Sequence, residues 1–384
     1  MSLPGGGWIR LGRTVAGAAL LALLVACGGS PTDRSGPPAD TTPTFTRPAL
    51  LGADVSALAR IEQAGGVFRD GGQAGDALAI LRAHGSDIFR LRLFVSPNYT
   101  EVQVNDLPYT IALAKRVKAT GAKLMLDFHY SDTWADPGHQ TTPAAWQAMP
   151  YDTLVRQVSR YSADAIAQLK TAGALPDIVQ MGNEVDAGML WPLGKLTTGT
   201  PDEWTRFTGL LKAAIQGVRS ALGPSDSVRI LLQYSQGGNA DGTQWFFDHI
   251  AAAGVPYDIV GLSYYPFWHG NLAQLHDNLL ATAQRYGRDV MVVETSYPWR
   301  AGGWESMATS QSAMTWPVTP AGQAQFLHDL IVTVATVPGG HGLGVVWWYP
   351  EAIDVPGLFV WGGGSLSLFD ASGNVLPAAA NLAH

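Results

Sequence analysis

The sequence predicts a single-domain (β/α)8 barrel, a TIM barrel, that occupies residues 49–384. Eight short apolar runs recur along this part of the chain. They alternate with segments that place apolar residues three and four positions apart, the spacing of an amphipathic helix, and glycine stands where several helices should stop. An open doubly wound sheet rarely needs eight strands, and no glycine-rich phosphate-binding motif follows the first run.

The eight apolar runs are the predicted strands, and they cover residues 50–56, 87–95, 122–130, 177–184, 228–234, 257–265, 289–296 and 343–350. Helical patterns between them include DALAILRAHG (76–85), YTIALAKRVKATG (109–121), LVRQVSRYSADAIAQLKTAG (154–173) and LAQLHDNLLATAQRYG (272–287). Eight strand and helix units are what the barrel requires.

The composition limits the possible functions. A chain of 384 residues with 47% hydrophobic content can bury a sizeable core. A formal charge of -7 with only 24 Lys and Arg argues against nucleic acid as a partner. The 13 Trp and 12 Tyr suit stacking on sugar faces as well as core packing. We expect a monomer without a cofactor.

The N-terminal segment is predicted to be a targeting signal and not part of the fold. Arg10 and Arg13 precede the apolar run VAGAALLALLVA, which fits a signal peptide over residues 1–26 and is too short to span a bilayer. The run ends in LVAC, which resembles the lipobox of bacterial lipoproteins, so that Cys27 would be the lipid anchor. Residues 27–48 would then carry the lipid and form a disordered tether.

The signal peptide and the lipobox together predict an exported, membrane-anchored lipoprotein of the bacterial cell envelope. The alternative is a chance cysteine beside an ordinary signal peptide. Cys27 is the only cysteine, so an intramolecular disulfide is impossible and the stability of the domain must come from its core.

Polar residues mark the carboxyl ends of the predicted strands, where TIM barrels build their active sites. Glu184 ends the fourth predicted strand and Glu294 ends the seventh. The other strand ends contribute Arg90, Arg92, Asp127, His129, Tyr264, Tyr265, Trp347 and Trp348. Either glutamate taken alone could instead pair with an arginine to close the barrel.

Two facing carboxyl groups suit the cleavage of a glycosidic bond, in which one donates a proton and the other attacks or stabilises the anomeric carbon. The acid needs surroundings that disfavour charge, whereas the nucleophile would lie well beside Arg90 or Arg92. Glu294, which follows the apolar VMVV, looks suited to the nucleophile, and Glu184, beside Asn183, to the acid.

Longer motifs resemble a known family. GNE (182–184) and VVET (292–295) resemble glycoside hydrolase clan A, whose retaining enzymes carry the acid/base on strand four and the nucleophile on strand seven. LDFHYSDTWADPGHQTTPAAW (126–146), GNEVDAGMLWPLG (182–194) and GLSYYPFWHG (261–270) closely resemble family 53 of that clan. These enzymes are endo-β-1,4-galactanases that act on type I arabinogalactan. The resemblance covers residues 50–377.

The resemblance implies a role for each matching residue. Glu184 would be the acid/base, Glu294 the nucleophile and Asn183 the partner of the sugar 2-hydroxyl. The implied substrate-binding set is Arg90, Arg92, His129, Trp134, Asn183, Trp191, Tyr265, Trp268, His269 and Trp348. Within it, Arg90 or Arg92 would orient the nucleophile, Tyr265 would hydrogen-bond to it, and Trp348 would form the floor under the cleaved sugar. His129 and His269 could instead be satisfied polar residues or metal ligands, but no HExxH or comparable spacing appears and we expect no metal.

The chain departs from the family pattern at two places. The family usually reads YWEPAW where this chain reads WWYPEA (347–352), so Tyr349 replaces a glutamate. Bacterial members often bind calcium in the loop after strand seven. Here that loop, RAGGWESMATSQSAMTWPV (300–318), contains no aspartate, and we expect no calcium site.

The predicted function is a retaining endo-β-1,4-galactanase that hydrolyses the galactan side chains of pectin. One alternative is another clan A endo-glycanase, such as a β-mannanase, that uses the same glutamates on a different sugar. The other is a non-catalytic surface lipoprotein that binds glycan, although a pure binder has no need for two carboxylates at opposed strand ends.

Overall fold

The computed structural model describes residues 46–305 and 314–383, and the described chain forms a closed barrel of eight parallel strands. The predicted TIM barrel is therefore confirmed. The strands are β1 Leu50–Asp54, β2 Ile88–Leu93, β3 Lys123–Phe128, β4 Ile178–Met181, β5 Arg229–Tyr234, β6 Ile259–Ser263, β7 Asp289–Thr295 and β8 Gly342–Trp348. Consecutive strands are neighbours, and β1 closes the barrel by pairing with both β2 and β8.

Helices connect successive strands on the outside of the barrel. They are α1 Leu58–Gln63, α2 Ala77–Ala83, α3 Leu107–Ala119, α4 Tyr151–Thr171, α5 Pro201–Ser220, α6 Ala240–Ala252, α7 Pro266–His269, α8 Leu272–Tyr286 and α9 Pro320–Ala335. A short hairpin, Phe68–Asp70 with Gln73–Gly75, lies between α1 and α2. A second one pairs Gly188–Met189 with Gly194–Lys195 after β4.

Local sequence signals fix the ends of these helices. Thr200 caps α5 and forms a reciprocal capping box with Glu203. Asn271 and Gln274 form the same arrangement at the start of α8, and Gly287, in the left-handed conformation, caps its C-terminal end. Each side-chain cap satisfies a backbone N–H that would otherwise lack a partner, and losing one costs about 1 kcal/mol.

The barrel interior is filled by apolar side chains that come mostly from the N-terminal halves of the strands. This inner cluster comprises Leu50, Ile88, Met125, Ile178, Leu231, Ile259, Met291, Val293, Leu343 and Val346. A second, larger apolar layer lies between the strands and the helices. Because the strands are buried on both faces, their sequences are continuous apolar runs and do not alternate between apolar and polar residues.

Some of the predictions concern residues outside the described chain. The signal peptide (1–26), Cys27 and most of the tether lie there, as do residues 306–313 of the loop after β7. Within the described residues, no helix has the length and apolar character needed to cross a membrane.

Candidate active site

A cavity of about 360 Å³ opens at the carboxyl ends of the strands, and both predicted catalytic glutamates line it. We call it the active-site cavity. It is lined by Asp54, Arg90, Arg92, Glu101, Val102, His129, Trp134, Ala135, Asp136, Asn183, Glu184, Tyr265, Trp268, Glu294, Trp348, Tyr349, Phe359 and Trp361. These residues combine charged groups with a large aromatic surface, which suits a ligand with many hydroxyl groups and apolar faces.

Glu294 lies near the end of β7 and is held on both carboxylate oxygens. Tyr265 donates its hydroxyl hydrogen to Oε1 over 2.8 Å, and Gln233 Nε2 lies 3.3 Å from Oε2. Arg90 Nη1 is 3.4 Å from the same Oε2. Burial raises the pKa of Glu294, while the Arg90 charge and the hydrogen bonds from Tyr265 and Gln233 oppose that rise. These three partners stabilise the ionised form that a nucleophile requires.

Glu184 enters the cavity from a tight turn and not from a strand. We predicted that the fourth strand runs to Glu184, but β4 ends at Met181. Gly182 has a φ of 83°, and Glu184 itself adopts the left-handed conformation with φ 46° and ψ 62°. Ser263 Oγ donates to Glu184 Oε1 over 2.6 Å, and the Glu184 backbone N–H donates to Gln233 Oε1 over 3.1 Å. The turn therefore carries the carboxyl group across to β5 and β6.

The two carboxyl groups are linked through two shared side chains. Gln233 Nε2 donates to Ser263 Oγ over 2.9 Å. Gln233 also donates to the Glu294 carboxylate, and Ser263 donates to the Glu184 carboxyl group. Burial, and then the negative charge of Glu294, raise the pKa of Glu184 well above its usual value. Of the two carboxyl groups, Glu184 is the one whose surroundings favour the protonated form more strongly, and Glu294 is the one with a cationic neighbour.

Arg90 is the arginine that contacts the nucleophile candidate. Its guanidinium is completely buried and bonds to Asp54 Oδ2 and Asp127 Oδ2, each over 2.9 Å, in addition to the contact with Glu294. A buried charge is tolerated when it is paired and hydrogen-bonded in this way. Arg92 lines the cavity but bonds to Asn105 and to the Val102 carbonyl instead.

Asn183 and His129 line the cavity with most of their hydrogen-bonding capacity already used. Asn183 Oδ1 accepts from Arg90 over 2.8 Å, and its Nδ2 donates to the Ala135 carbonyl over 2.8 Å, which leaves one amide hydrogen for a ligand. His129 Nε2 lies 3.0 Å from Asp127, and its Nδ1 accepts from the Ala135 N–H. The imidazole therefore presents its ring and not a free nitrogen to the cavity.

Aromatic rings form much of the remaining lining. Trp134, Trp268 and Trp348 lie there, as does Tyr265. Trp361, which the sequence analysis missed, packs edge-on against Trp348 with ring centroids 4.5 Å apart. It lies after β8 at the start of a short 3₁₀ helix, Trp361–Gly364, and matches none of the motifs used to find the others.

Two residues of the predicted substrate-binding set do not line the cavity. Trp191 donates its indole N–H to the Ala187 carbonyl over 2.9 Å, and Lys195 Nζ lies 4.1 Å from its ring centroid. His269 Nδ1 accepts from the Tyr265 N–H over 3.1 Å, and burial lowers its pKa to about 4. Both side chains are occupied in local contacts, Trp191 in the hairpin after β4 and His269 at the end of α7.

Three further residues, which line the cavity or bridge the two glutamates, could have been predicted in the same way as the glutamates, from polar positions at strand ends. Asp54 ends β1, Ser263 ends β6, and Gln233 lies one residue before the end of β5. Each is a polar side chain at the carboxyl end of an apolar strand, where polarity indicates function. Among the residues that the structure describes, no cluster of three or more His, Cys, Asp or Glu side chains could hold a metal ion.

Comparison with known proteins agrees with this geometry. The family model for glycosyl hydrolase family 53 matches residues 50–382. A protein of Niallia circulans is 41% identical over 342 residues, which is 85% of this chain and 91% of the relative. Arabinogalactan endo-β-1,4-galactanase of Cellvibrio japonicus is 34% identical over 355 residues, covering 88% of this chain and 90% of the relative.

A solved structure gives the same result. The family 53 catalytic domain of Ignisphaera aggregans superimposes with a TM-score of 0.81 at 31% identity, over 88% of this chain and 97% of that domain. The match thus extends over the barrel and the strand ends that carry the cavity. The resemblance noted in the sequence is confirmed, and the chain belongs to glycosyl hydrolase family 53.

Proposed function

We propose that the protein is a retaining endo-β-1,4-galactanase that hydrolyses internal bonds of β-1,4-galactan, the side-chain polymer of pectin also called type I arabinogalactan. The observation that carries the proposal is the pair of glutamates in unlike surroundings. Among the residues that the structure describes, no cation pairs with the buried Glu184, whereas Glu294 lies 3.4 Å from Arg90. The galactanase name of the relative from Cellvibrio japonicus supports the choice of polymer.

In the proposed reaction, the ionised Glu294 carboxylate attacks the anomeric carbon while Glu184 donates its proton to the departing glycosidic oxygen. The bond from the anomeric carbon to that oxygen breaks, and a bond to Glu294 forms. Glu184, now ionised, then removes a proton from water, which displaces Glu294 and restores both carboxyl groups. Tyr265 and Arg90 stabilise Glu294 when it is released as an anion.

The proposed specificity is tested by comparing purified polysaccharides. The wild-type enzyme should release reducing ends from potato galactan with a kcat/KM at least about 100-fold above that on mannan, xylan or arabinan, because polar sites reject sugars whose hydroxyls they cannot pair. A Glu294→Ala preparation serves as the control for contaminating activities. Faster turnover of mannan would favour a β-mannanase, and binding of galactan without release of reducing ends would favour a glycan-binding protein.

We also propose that the enzyme is exported and held at the membrane through Cys27, on the evidence of LVAC behind the apolar run. A Cys27→Ser variant should move from the membrane fraction to the soluble fraction of the envelope and remain active, since the substitution lies outside the barrel. Fractionation with a galactan assay measures both. A variant that remains with the membrane as fully as wild type would contradict the lipoprotein assignment.

A further inference from the structure

The turn that carries Glu184 is held in an unusual backbone conformation. Glu184 has a φ of 46°, a left-handed conformation that residues other than glycine rarely adopt and that persists only where the surroundings enforce it. A single turn of 3₁₀ helix, Val185–Ala187, follows directly. The direction of the Glu184 carboxyl group therefore depends on the contacts that hold this turn in place.

Hydrogen bonds reach the turn from two sides. On one side Gln140, which is only 2% exposed, donates from Nε2 to the Asn183 carbonyl over 2.7 Å and to the Glu184 carbonyl over 3.2 Å. On the other side the Glu184 N–H donates to Oε1 of Gln233, a residue of β5, over 3.1 Å. The turn is thus held through its carbonyls by one neighbour and through its N–H by another.

Asp186 adds a second contact between the turn and β5. Its Oδ1 accepts from the backbone N–H of Ser235, the residue that directly follows β5, over 2.8 Å. Glu184 and Asp186 are two positions apart, and so are Gln233 and Ser235, so the two hydrogen bonds close a ring between the turn and the strand end. One hydrogen bond alone would permit the turn to rotate about it, whereas two fix its orientation.

The proposed reaction does not otherwise use Asp186, which does not line the active-site cavity. Among the described residues its buried Oδ2 has no hydrogen-bond partner, and burial raises the pKa of Asp186 to about 6. The charged groups that face Glu184 are Glu294 from β7, Asp136 from the loop after β3 and Asp186 from its own turn, and each raises the pKa of Glu184. Tyr234 of β5 lies near enough to Asp186 to respond to its charge.

We propose that Asp186 is a positioning residue for the general acid, which aims the Glu184 carboxyl group at the departing glycosidic oxygen by fixing its turn to β5. The proposal rests on the acid/base role proposed for Glu184, but not on galactan as the polymer. Asp186 acts through the backbone of the turn and touches no substrate. Its loss should therefore weaken proton donation and leave the attack by Glu294, which β7 carries, unchanged.

The test uses two substrates that differ in their need for the proton. Asp186→Ala should lower kcat/KM on the polysaccharide about tenfold, the effect of one lost hydrogen bond. On an aryl glycoside of the same sugar with a good leaving group, kcat/KM should stay within about twofold of wild type, because it reports the first step and that step needs little protonation. Equal losses on both substrates, or no loss on either, would overturn the proposal.

Asp186→Asn is the matched control, because it keeps an acceptor for the Ser235 N–H. On the plateau of the pH profile it should restore kcat/KM on the polysaccharide to within about twofold of wild type. It also removes a negative charge near Glu184, so the pKa of Glu184 should fall and the alkaline limb should move to lower pH. An Asn variant as impaired as Asp186→Ala, or an alkaline limb that does not move, would contradict the proposal, and the second result decides even if Asp186→Ala does not fold.

Glu184→Ala distinguishes failure of this proposal from failure of the proposed function. All variants are compared on whichever polysaccharide wild type hydrolyses fastest, so a different polymer would change the substrate and not the ratios. If Glu184→Ala lowers kcat/KM equally on both substrates, the acid/base role fails and the positioning role with it. A selective loss on the polysaccharide in Glu184→Ala without one in Asp186→Ala would overturn the positioning role alone.

Discussion

Replacing Glu294 with alanine should reduce hydrolysis of galactan and of activated aryl galactosides alike by at least about 10⁴-fold. Both substrates require attack on the anomeric carbon, whatever the leaving group is. The variant should remain folded, because Arg90 keeps its bonds to Asp54 and Asp127 when the third carboxylate is removed. Initial rates on both substrates measure the loss of activity, and Tm checks that the variant remains folded.

The matched control is Glu294→Gln, which keeps the shape of the side chain but cannot form the glycosyl ester with the same ease. It should be as inactive as Glu294→Ala. The stereochemistry of the wild-type product gives independent evidence, since a double displacement releases the β-anomer first. First release of the α-anomer in an NMR time course, or near wild-type turnover by Glu294→Ala, would exclude Glu294 as the nucleophile.

The barrel, and the two glutamates that line its cavity, could be predicted from the sequence for physical reasons. Strands buried on both faces must be continuously apolar, so each one stands out between helical patterns. Against such strands, Glu294 is conspicuous because a buried carboxylate is costly unless it is used or paired. The same reasoning applied to Asp54 and Gln233 would have extended the site.

The remaining details depend on geometry that local sequence does not specify. Arg90 and Arg92 lie on the same face of β2, and only the stagger of the strands determines which one contacts Glu294. The left-handed turn at Glu184 is adopted without a glycine at that position. Trp191 is in the motif of Glu184, yet its loop turns it toward Lys195 and away from the cavity.

Replacing Glu184 with alanine should change the rates on galactan and on aryl galactosides by different factors, whereas Glu294→Ala reduces both alike. Galactan has a poor leaving group and should lose about 10²- to 10⁴-fold in kcat/KM, the usual contribution of a general acid. An aryl galactoside with a good leaving group needs little protonation, so its first step should be nearly unchanged. Breakdown of the intermediate should become slow because the base is missing, and added azide should restore turnover by attacking the intermediate directly. Failure of azide to accelerate the aryl substrate would contradict the assignment.

The pH profile gives a second measurement of the same assignment. Glu184 acts in its protonated form, so raising the pH through its elevated pKa should reduce kcat/KM and produce the alkaline limb. Glu184→Ala should lack that limb. Ser263→Ala is the matched control: the Ser263 hydrogen bond lowers the pKa of Glu184, and removing it should raise that pKa and move the limb to higher pH. Among the carboxyl groups that the structure describes, the Ser263 hydroxyl donates only to Glu184. An alkaline limb that stays at the same pH in both variants would therefore show that another group supplies the proton.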